Sequence, residues 1–204
     1  MVDEQIATRD IHDVRVLTAL RTIPREVFVP DDQQAHAYDD RALPAGLGQT
    51  ISQPYIVALM TELLHVHPEH RVLEIGTGTG YQTAILASLA RQVFSIERLP
   101  ELSAAAQERL TRLGYNNISY RIADGTLGWP EEAPFDRILV TAAAPNLVPP
   151  LLDQLTEDGR LVIPVGDEGL QRLTVVERKP GRIIEHPSIA VRFVKLIGEA
   201  GFPG

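Results

Sequence analysis

Short β-rich runs alternate with helical patterns from about residue 70, and this alternation constrains the fold more than any other feature of the sequence. Two such runs, RVLEI (71–75) and QVFSIE (92–97), flank YQTAILASLA (81–90), which carries apolar residues at helical spacing. Three more runs follow: ISYRIA (118–123), FDRILVTA (135–142) and GRLVIPV (159–165). Because parallel strands need crossover connections, this repetition predicts a doubly wound α/β fold with a mostly parallel sheet.

The flanking segments have a different character. LTVVER (173–178), the turn at 179–181 and RIIEH predict an antiparallel C-terminal hairpin at the edge of the sheet. Helices are expected N-terminal to the sheet, one leading up to Pro24 and one over IVALMTELL (56–64). The segment between them, LPAGLGQTISQP (43–54), is punctuated by Gly and Pro, so we expect a loop that packs over the carboxyl ends of the strands.

Length and composition indicate one domain and exclude several functions. The 204 residues suffice for one core, which we divide into an N-terminal helical cap with a loop (1–69), a ligand-binding core (70–166) and C-terminal strands (167–204). The net charge of -8 disfavours a nucleic-acid partner. The absence of cysteine excludes thiolate chemistry and disulfides. An acidic N-terminus and the lack of a long apolar run predict no membrane partner and a cytoplasmic location.

The turn after the first predicted strand is the expected ligand site, because open α/β sheets bind ligands outside the carboxyl ends of their strands. The turn places Gly76, Gly78 and Gly80 within five residues, which lets a ligand approach the backbone closely. A dinucleotide fingerprint would have glycine where this chain has Tyr81. The pattern therefore suits an adenosyl ligand better than a pyrophosphate, and it disfavours an NAD-dependent oxidoreductase.

Two acidic residues at later strand ends strengthen the prediction of a ligand site. Glu97 ends the second strand, 21 residues after Gly76, where a carboxylate can accept hydrogen bonds from both ribose hydroxyls. Asp124, next to Gly125, follows the third strand, where it could accept a hydrogen bond from the exocyclic amine of adenine. Each acid alone is typical of a solvated strand end, but the three features together predict ligand binding.

These residues carry a resemblance to the protein-L-isoaspartate (D-aspartate) O-methyltransferase family over nearly the whole chain. VLEIGTGTGYQTAILA (72–87) resembles the cofactor motif of that family, and ADGTLGW (123–129) resembles its adenine loop. APFDRILVTAAAP (133–145) is similar to its fourth strand, and LLDQLTEDGRLVIPVG (151–166) to the segment after it. The most discriminating match is AYDDRALPAGLGQTISQPYIVALMTELL (37–64). The resemblance implies a Rossmann-like class I methyltransferase domain over 1–204, with a seven-stranded sheet.

The resemblance also implies a reaction. The family transfers a methyl group from S-adenosyl-L-methionine to the free α-carboxylate of L-isoaspartyl, and also D-aspartyl, residues in damaged proteins, which initiates their repair. S-adenosyl-L-homocysteine is the product, and no metal takes part. The expected partners are isoaspartyl-containing proteins and peptides, and we expect a monomer. An α-carboxylate with a pKa of about 4 is already ionised at pH 7, so no general base is required.

Residue roles carried over from the family give two sets. Ser52 is implied as the active-site hydroxyl that positions the acceptor, although a serine there could instead cap the helix that begins near Pro54. The cofactor set comprises Thr50, Ile51, Ser52, Glu74, Gly76, Thr77, Gly78, Gly80, Glu97, Arg98, Asp124, Gly125 and Thr141. VRFVKLIG (191–198) is similar to the family's C-terminal strand, and the peptide set comprises Tyr55, Ala142, Val191, Arg192, Phe193 and Val194.

Departures from the family and alternatives remain. Lys195 stands where the family usually has proline and Tyr55 where some members have histidine, which bears on peptide preference rather than on the reaction. A homologue that methylates ordinary aspartate in a dedicated peptide and a non-catalytic adenosyl-binding module are the open alternatives. His65, His67 and His70 lie close in sequence, but Pro68 interrupts them and no acid stands at a ligand spacing, so no metal is expected.

Overall fold

The computed structural model describes residues 1–204 and contains nine strands. Their bounds are β1 (Leu43–Gly46), β2 (Gln49–Ile51), β3 (Arg71–Ile75), β4 (Gln92–Glu97), β5 (Ile118–Ile122), β6 (Phe135–Val140), β7 (Leu155–Gly166), β8 (Gln171–Lys179) and β9 (Arg182–Val191). Seven of them form one sheet in the order β5-β4-β3-β6-β7-β8-β9. Pairings from β5 to β7 are parallel, whereas β7-β8 and β8-β9 are antiparallel. The predicted fold class, with its antiparallel C-terminal hairpin, is confirmed.

Five α-helices surround the strands: α1 (Val14–Thr22), α2 (Pro54–Leu64), α3 (Tyr81–Leu89), α4 (Pro100–Arg112) and α5 (Pro149–Asp153). Their ends follow local chemistry. The Asp13 carboxylate accepts the backbone N–H of Arg15 at the start of α1, while proline opens α2, α4 and α5. Beyond α4, Gly114 adopts a φ of +87°, the left-handed conformation that stops a helix. None of the helices has the length and hydrophobicity that a membrane-spanning segment requires.

The core is divided between the two faces of the sheet, as side-chain alternation along a strand requires. Val72 and Leu139 belong to a cluster of 32 buried residues that includes the apolar faces of α1, α2 and α3. Leu73 and Ile138, one position away on the same strands, belong to a second cluster of 16 buried residues that includes Leu151 of α5. Burial on both faces accounts for the nearly continuous apolar runs of β3 and β6.

Two predicted segments differ in the structure. The predicted loop 43–54 contains an antiparallel hairpin, β1-β2, whose turn carries Leu47 and two glycines at positive φ. The segment 191–198, which is similar to the C-terminal strand of the family, is not a continuous strand here, because β9 ends at Val191 and the chain then makes only isolated bridges, including Lys195 with Ala143. The segment consequently runs parallel to the residues that follow β6, to which it is joined by hydrogen bonds on both sides of Ala143.

Candidate active site

The glycine turn after β3 lies where the strand order reverses, between β4 on one side and β6 on the other. Gly76, Gly78 and Gly80 all adopt positive φ. At Gly76 a side chain is also excluded sterically, since a Cβ atom would lie 2.3 Å from Oγ1 of Thr141. That hydroxyl lies 2.9 Å from the carbonyl oxygen of Ile75 and 2.8 Å from that of Gly76, which ties the turn to the end of β6.

Glu97 holds the glycine turn from the neighbouring strand. Its Oε2 accepts the backbone N–H of Gly78 at 3.0 Å, and its Oε1 accepts the N–H groups of Arg98 and Leu99 at 2.8 and 3.0 Å. The side chain is largely buried but lines the cavity over the turn. A carboxylate oriented by three backbone donors presents its remaining lone pairs to a ligand in a fixed direction.

Beneath the turn, Glu74 is fully buried and takes part in a hydroxyl network. Its Oε2 accepts the hydroxyls of Thr83 and Ser95, each at 2.6 Å, and Ser95 lies 2.6 Å from the hydroxyl of Thr77. The other oxygen, Oε1, has no partner. Burial raises the pKa of Glu74 to about 7 despite the two hydrogen bonds, and the nearby charge of Glu97 adds to the rise. Glu74 thus supports the turn from below and does not line the cavity.

Ser52 lies between β2 and α2 with a hydroxyl that forms no hydrogen bond within the protein. The residue preceding α2 is Gln53, and no side chain caps that helix, so the alternative role of Ser52 as a helix cap is absent from the structure. The backbone carbonyl of Ser52 accepts a hydrogen bond from Nη2 of Arg25 at 2.8 Å. The Ser52 side chain is half-buried and is free to interact with a ligand.

Two cavities meet at this serine. The first cavity, of about 360 Å³, lies over the glycine turn and is lined by 24 residues; it is named the donor cavity, and the second the acceptor cavity, after the methyl donor and acceptor that the sequence resemblance implies. The acceptor cavity, of about 520 Å³, lies between α2 and the segment after β9 and is lined by 13 residues. Four residues line both, namely Thr50, Ser52, Thr141 and Val194. The two cavities therefore adjoin at Ser52.

The predicted cofactor residues divide into two groups. Those that line the donor cavity are Thr50, Ile51, Ser52, Gly76, Thr77, Gly78, Glu97, Arg98 and Thr141. Glu74, Gly80, Asp124 and Gly125 lie outside its lining. Both carboxylate oxygens of Asp124 are engaged, Oδ1 by the N–H and hydroxyl of Thr126 and Oδ2 by the N–H of Glu199. In this geometry Asp124 fastens the C-terminal segment, and its contact with adenine stays a prediction.

The predicted peptide residues are also divided. Val191, Arg192, Phe193 and Val194 line the acceptor cavity. Ala142 lines the donor cavity instead. Tyr55 lines neither cavity; its ring lies under the guanidinium of Arg9, 4.5 Å from the centroid.

Several lining residues were missed by sequence reasoning. Lys195, which the sequence placed near the peptide groove, lines the donor cavity, and its Nζ pairs with Glu168 at 2.6 Å. Leu170, in the turn between β7 and β8, lines the acceptor cavity and is 62% exposed. The position of Lys195 depends on how the C-terminal segment folds back over the sheet, and that of Leu170 on the β7-β8 turn; the local sequence carries no signal for either placement. Among residues 1–204, no group of three or more His, Asp or Glu side chains is placed to hold a metal ion.

Comparison with known proteins places this geometry in a family. The family model described as protein-L-isoaspartate(D-aspartate) O-methyltransferase matches residues 1–201. The chain belongs to that family. A protein-L-isoaspartate O-methyltransferase of Syntrophobacter fumaroxidans is 55% identical over 205 residues, covering 100% of this chain and 95% of the relative. A member from Methanoculleus marisnigri is 53% identical over 204 residues, covering 100% of this chain and 93% of the relative.

Solved structures of this methyltransferase family share the fold. One protein-L-isoaspartate O-methyltransferase has a TM-score of 0.84 and 29% identity, over 94% of this chain and 63% of that one. A structure from Plasmodium falciparum, described as a putative protein-L-isoaspartate O-methyltransferase in complex with S-adenosyl-L-homocysteine, has a TM-score of 0.83 and 28% identity, over 96% of both chains. The class I methyltransferase fold implied by the sequence is confirmed.

Proposed function

We propose that this chain transfers a methyl group from S-adenosylmethionine to the α-carboxylate of isoaspartyl residues in damaged proteins and peptides. The observation that carries the proposal is the meeting of the donor and acceptor cavities at Ser52, Thr50, Thr141 and Val194. Family membership over residues 1–201 supports the same reaction. S-adenosylhomocysteine would be the product.

The donor cavity fits an adenosyl ligand. Its volume of about 360 Å³ lies in the range typical of small-molecule sites, roughly 300 to 1,000 Å³. Glu97 would hold the ribose hydroxyls, while apolar side chains of the lining, including Met60, Ile75 and Ile96, would contact the base. When bound, S-adenosylmethionine supplies a methyl group on a positively charged sulfur. The glycine turn brings backbone rather than side chains against the ligand, which permits close contact.

The acceptor cavity fits an anionic peptide group. Arg192 is the one charged residue in its lining, and the cavity contains no histidine, lysine or carboxylate that could serve as a base. An α-carboxylate with a pKa of about 4 is already deprotonated at neutral pH, so the missing base is not needed. The Ser52 hydroxyl donates a hydrogen bond to one carboxylate oxygen and leaves the other free to react. The protein contributes mainly by alignment, an effect worth up to roughly 7 to 11 kcal/mol.

The experiment that tests this function compares paired peptides that differ only in the linkage. Purified protein and radiolabelled S-adenosylmethionine are incubated with a peptide containing L-isoaspartate, the same peptide with normal aspartate, and a third with D-aspartate. We expect transfer to the isoaspartyl peptide, weaker transfer to the D-aspartyl peptide, and none to the normal one. Equal transfer to the normal peptide, or no transfer to any, would contradict the proposal.

Substitution of Ser52 tests the alignment directly. Ser52→Ala removes the hydroxyl that faces both cavities, and we expect kcat to fall by about tenfold or more because the acceptor loses its positioning hydrogen bond. Binding of S-adenosylhomocysteine, measured by calorimetry, should change less than about threefold, since the hydroxyl is one contact among many. Unchanged kcat would remove Ser52 from the mechanism.

The proposal also covers the oligomeric state, the partners and the cellular location of the protein. We propose a monomer that acts on isoaspartyl-containing proteins and peptides without a metal. We also propose a cytoplasmic location with neither nucleic acid nor membrane as a partner, in keeping with the net charge of -8. Chromatography at the assay concentration would test the first point.

A further inference from the structure

Arg25 is a buried cation without a counter-ion. Its side chain is fully inaccessible to solvent and forms no ion pair with any carboxylate. Nε donates to the carbonyl oxygen of Ala37 and Nη2 to that of Ser52, each at 2.8 Å, while Nη1 has no partner. Burial lowers the pKa of Arg25. Charged side chains are rarely buried unless paired, because leaving water is costly, so this arrangement requires a reason.

The guanidinium connects three segments that surround the active site. Ala37 follows the turn Asp31–His36, Ser52 precedes α2, and Tyr81, whose ring centroid lies 4.9 Å from the guanidinium carbon, opens α3. Tyr81 lines the donor cavity and also packs against Phe28 at 5.4 Å between ring centroids. Arg25 therefore stands behind the wall that the donor cavity shares with the Ser52 loop.

We propose that Arg25 is a positioning residue for Ser52. The inference rests on the proposed function, since it assigns Arg25 to the orientation of the hydroxyl at the junction of the cavities. Fixing the Ser52 carbonyl fixes the plane of the peptide unit that leads into α2 and thereby constrains the position of the Ser52 Cβ atom, from which the hydroxyl reaches the cavities in one of a few staggered rotamers. The Ser52 hydroxyl has no hydrogen bond within the protein, so the protein controls its position only through the backbone to which it is attached. A planar guanidinium suits this task, because its fork reaches two carbonyls in a fixed geometry that an ammonium group does not reproduce.

The experiment is a double-mutant cycle between Arg25→Lys and Ser52→Ala. Arg25→Lys keeps the positive charge but cannot donate to the carbonyls of Ala37 and Ser52 in the same fixed geometry. We expect kcat for an isoaspartyl peptide to fall by about tenfold or more, because displacing a positioning group by about 1 Å can lower the rate 100-fold. Binding of S-adenosylhomocysteine should change less than about threefold. In the Ser52→Ala background, Arg25→Lys should lower kcat by less than about threefold, since no hydroxyl remains to be oriented.

Arg178 provides a matched control. It too donates to backbone carbonyls, those of Leu152, Asp153 and Leu155, but these lie at the end of α5, which packs on the face of the sheet opposite α2. Arg178→Lys should lower the melting temperature without changing kcat, and its effects should combine independently with those of Ser52→Ala. A merely structural role for Arg25 would give the same independent behaviour.

Three outcomes would overturn the inference. Arg25→Lys could leave kcat unchanged, or it could lower kcat by the same factor with and without the Ser52 hydroxyl. A second variant, Arg25→Gln, avoids burying an ammonium group; if both variants fail to bind S-adenosylhomocysteine, Arg25 is needed for folding and the positioning role is refuted. Failure of the proposed function is distinguishable, because it would appear as a wild-type protein inactive on isoaspartyl peptides.

Discussion

Replacing Glu74 by glutamine tests how the network beneath the glycine turn is charged. Burial of this side chain raises its pKa from 4.5 to about 7, hydrogen bonds from Ser95 and Thr83 oppose the rise, and the charge of Glu97 adds to it. Glutamine has nearly the same shape and keeps an oxygen that can accept both hydroxyls. It cannot ionise, so any dependence of stability on pH that comes from Glu74 disappears in the variant.

The sign and size of the effect follow from linkage. A folded pKa above the unfolded value means that the folded protein keeps a proton which the unfolded chain releases, so this contribution to stability is complete below pH 4.5 and is lost as pH rises through about 7. At about 1.4 kcal/mol per pKa unit, the loss is on the order of 3 kcal/mol. Between pH 5 and pH 8, Glu74→Gln should therefore gain about this much stability relative to wild type.

Urea unfolding at pH 5, 6, 7 and 8 measures this difference. Glu108→Gln is the control, because Glu108 is exposed on α4 and forms no hydrogen bond, so its curve should run parallel to that of wild type. The substitution can also lower the stability by an amount that does not depend on pH, because Oε1 of Glu74, which has no partner, is replaced by an amide NH₂ group that has none either. The slope of the difference against pH is therefore the relevant quantity. Parallel curves for Glu74→Gln and wild type would refute the reasoning.

Two further predictions concern the glycine turn and the C-terminal segment. Gly76→Ala should weaken S-adenosylhomocysteine binding at least about tenfold in calorimetry, because the added Cβ would lie 2.3 Å from Oγ1 of Thr141. Gly114→Ala is the control: Gly114 also has a positive φ, but an added Cβ there would meet no atom, so this variant should bind S-adenosylhomocysteine normally. Asp124→Asn should lower the free energy of unfolding by about 1 to 3 kcal/mol at pH 7. Burial raises the pKa of Asp124, but hydrogen bonds from Glu199 and Thr126 outweigh it and hold the pKa below its usual value. The stability that ionised Asp124 contributes is therefore present at neutral pH and is lost on acidification. An unfolding curve at pH 7 that matches wild type would contradict this prediction.

The sheet could be predicted from the sequence because a strand that is buried on both faces needs apolar residues at nearly every position, and such runs are visible in the sequence. The run QVFSIE (92–97) coincides with β4, since Val93 is buried on one face of the sheet and Phe94 and Ile96 on the other, which requires a nearly continuous apolar run. The hairpin β1-β2 was missed because Pro44, Gly46 and Gly48, which serve its edge and turn, are the residues that otherwise indicate a loop.

The candidate site was predictable only where residues adjoin a strand end. Gly76 and Glu97 follow from strand positions alone, and both line the donor cavity. A strand end does not reveal that Oδ2 of Asp124 accepts the backbone N–H of Glu199, 75 residues later in the chain. The same long-range folding brings Lys195 to the donor cavity, and no spacing rule links it to the glycine turn.

The central claim is that donor and acceptor occupy adjoining cavities of one chain and meet at Ser52. Calorimetric titration with S-adenosylhomocysteine, followed by titration of the loaded protein with an isoaspartyl peptide, tests it most directly. The account predicts one molecule of each bound per chain, with the peptide leaving the first ligand in place. Absence of S-adenosylhomocysteine binding, or its displacement by the peptide, would contradict the claim.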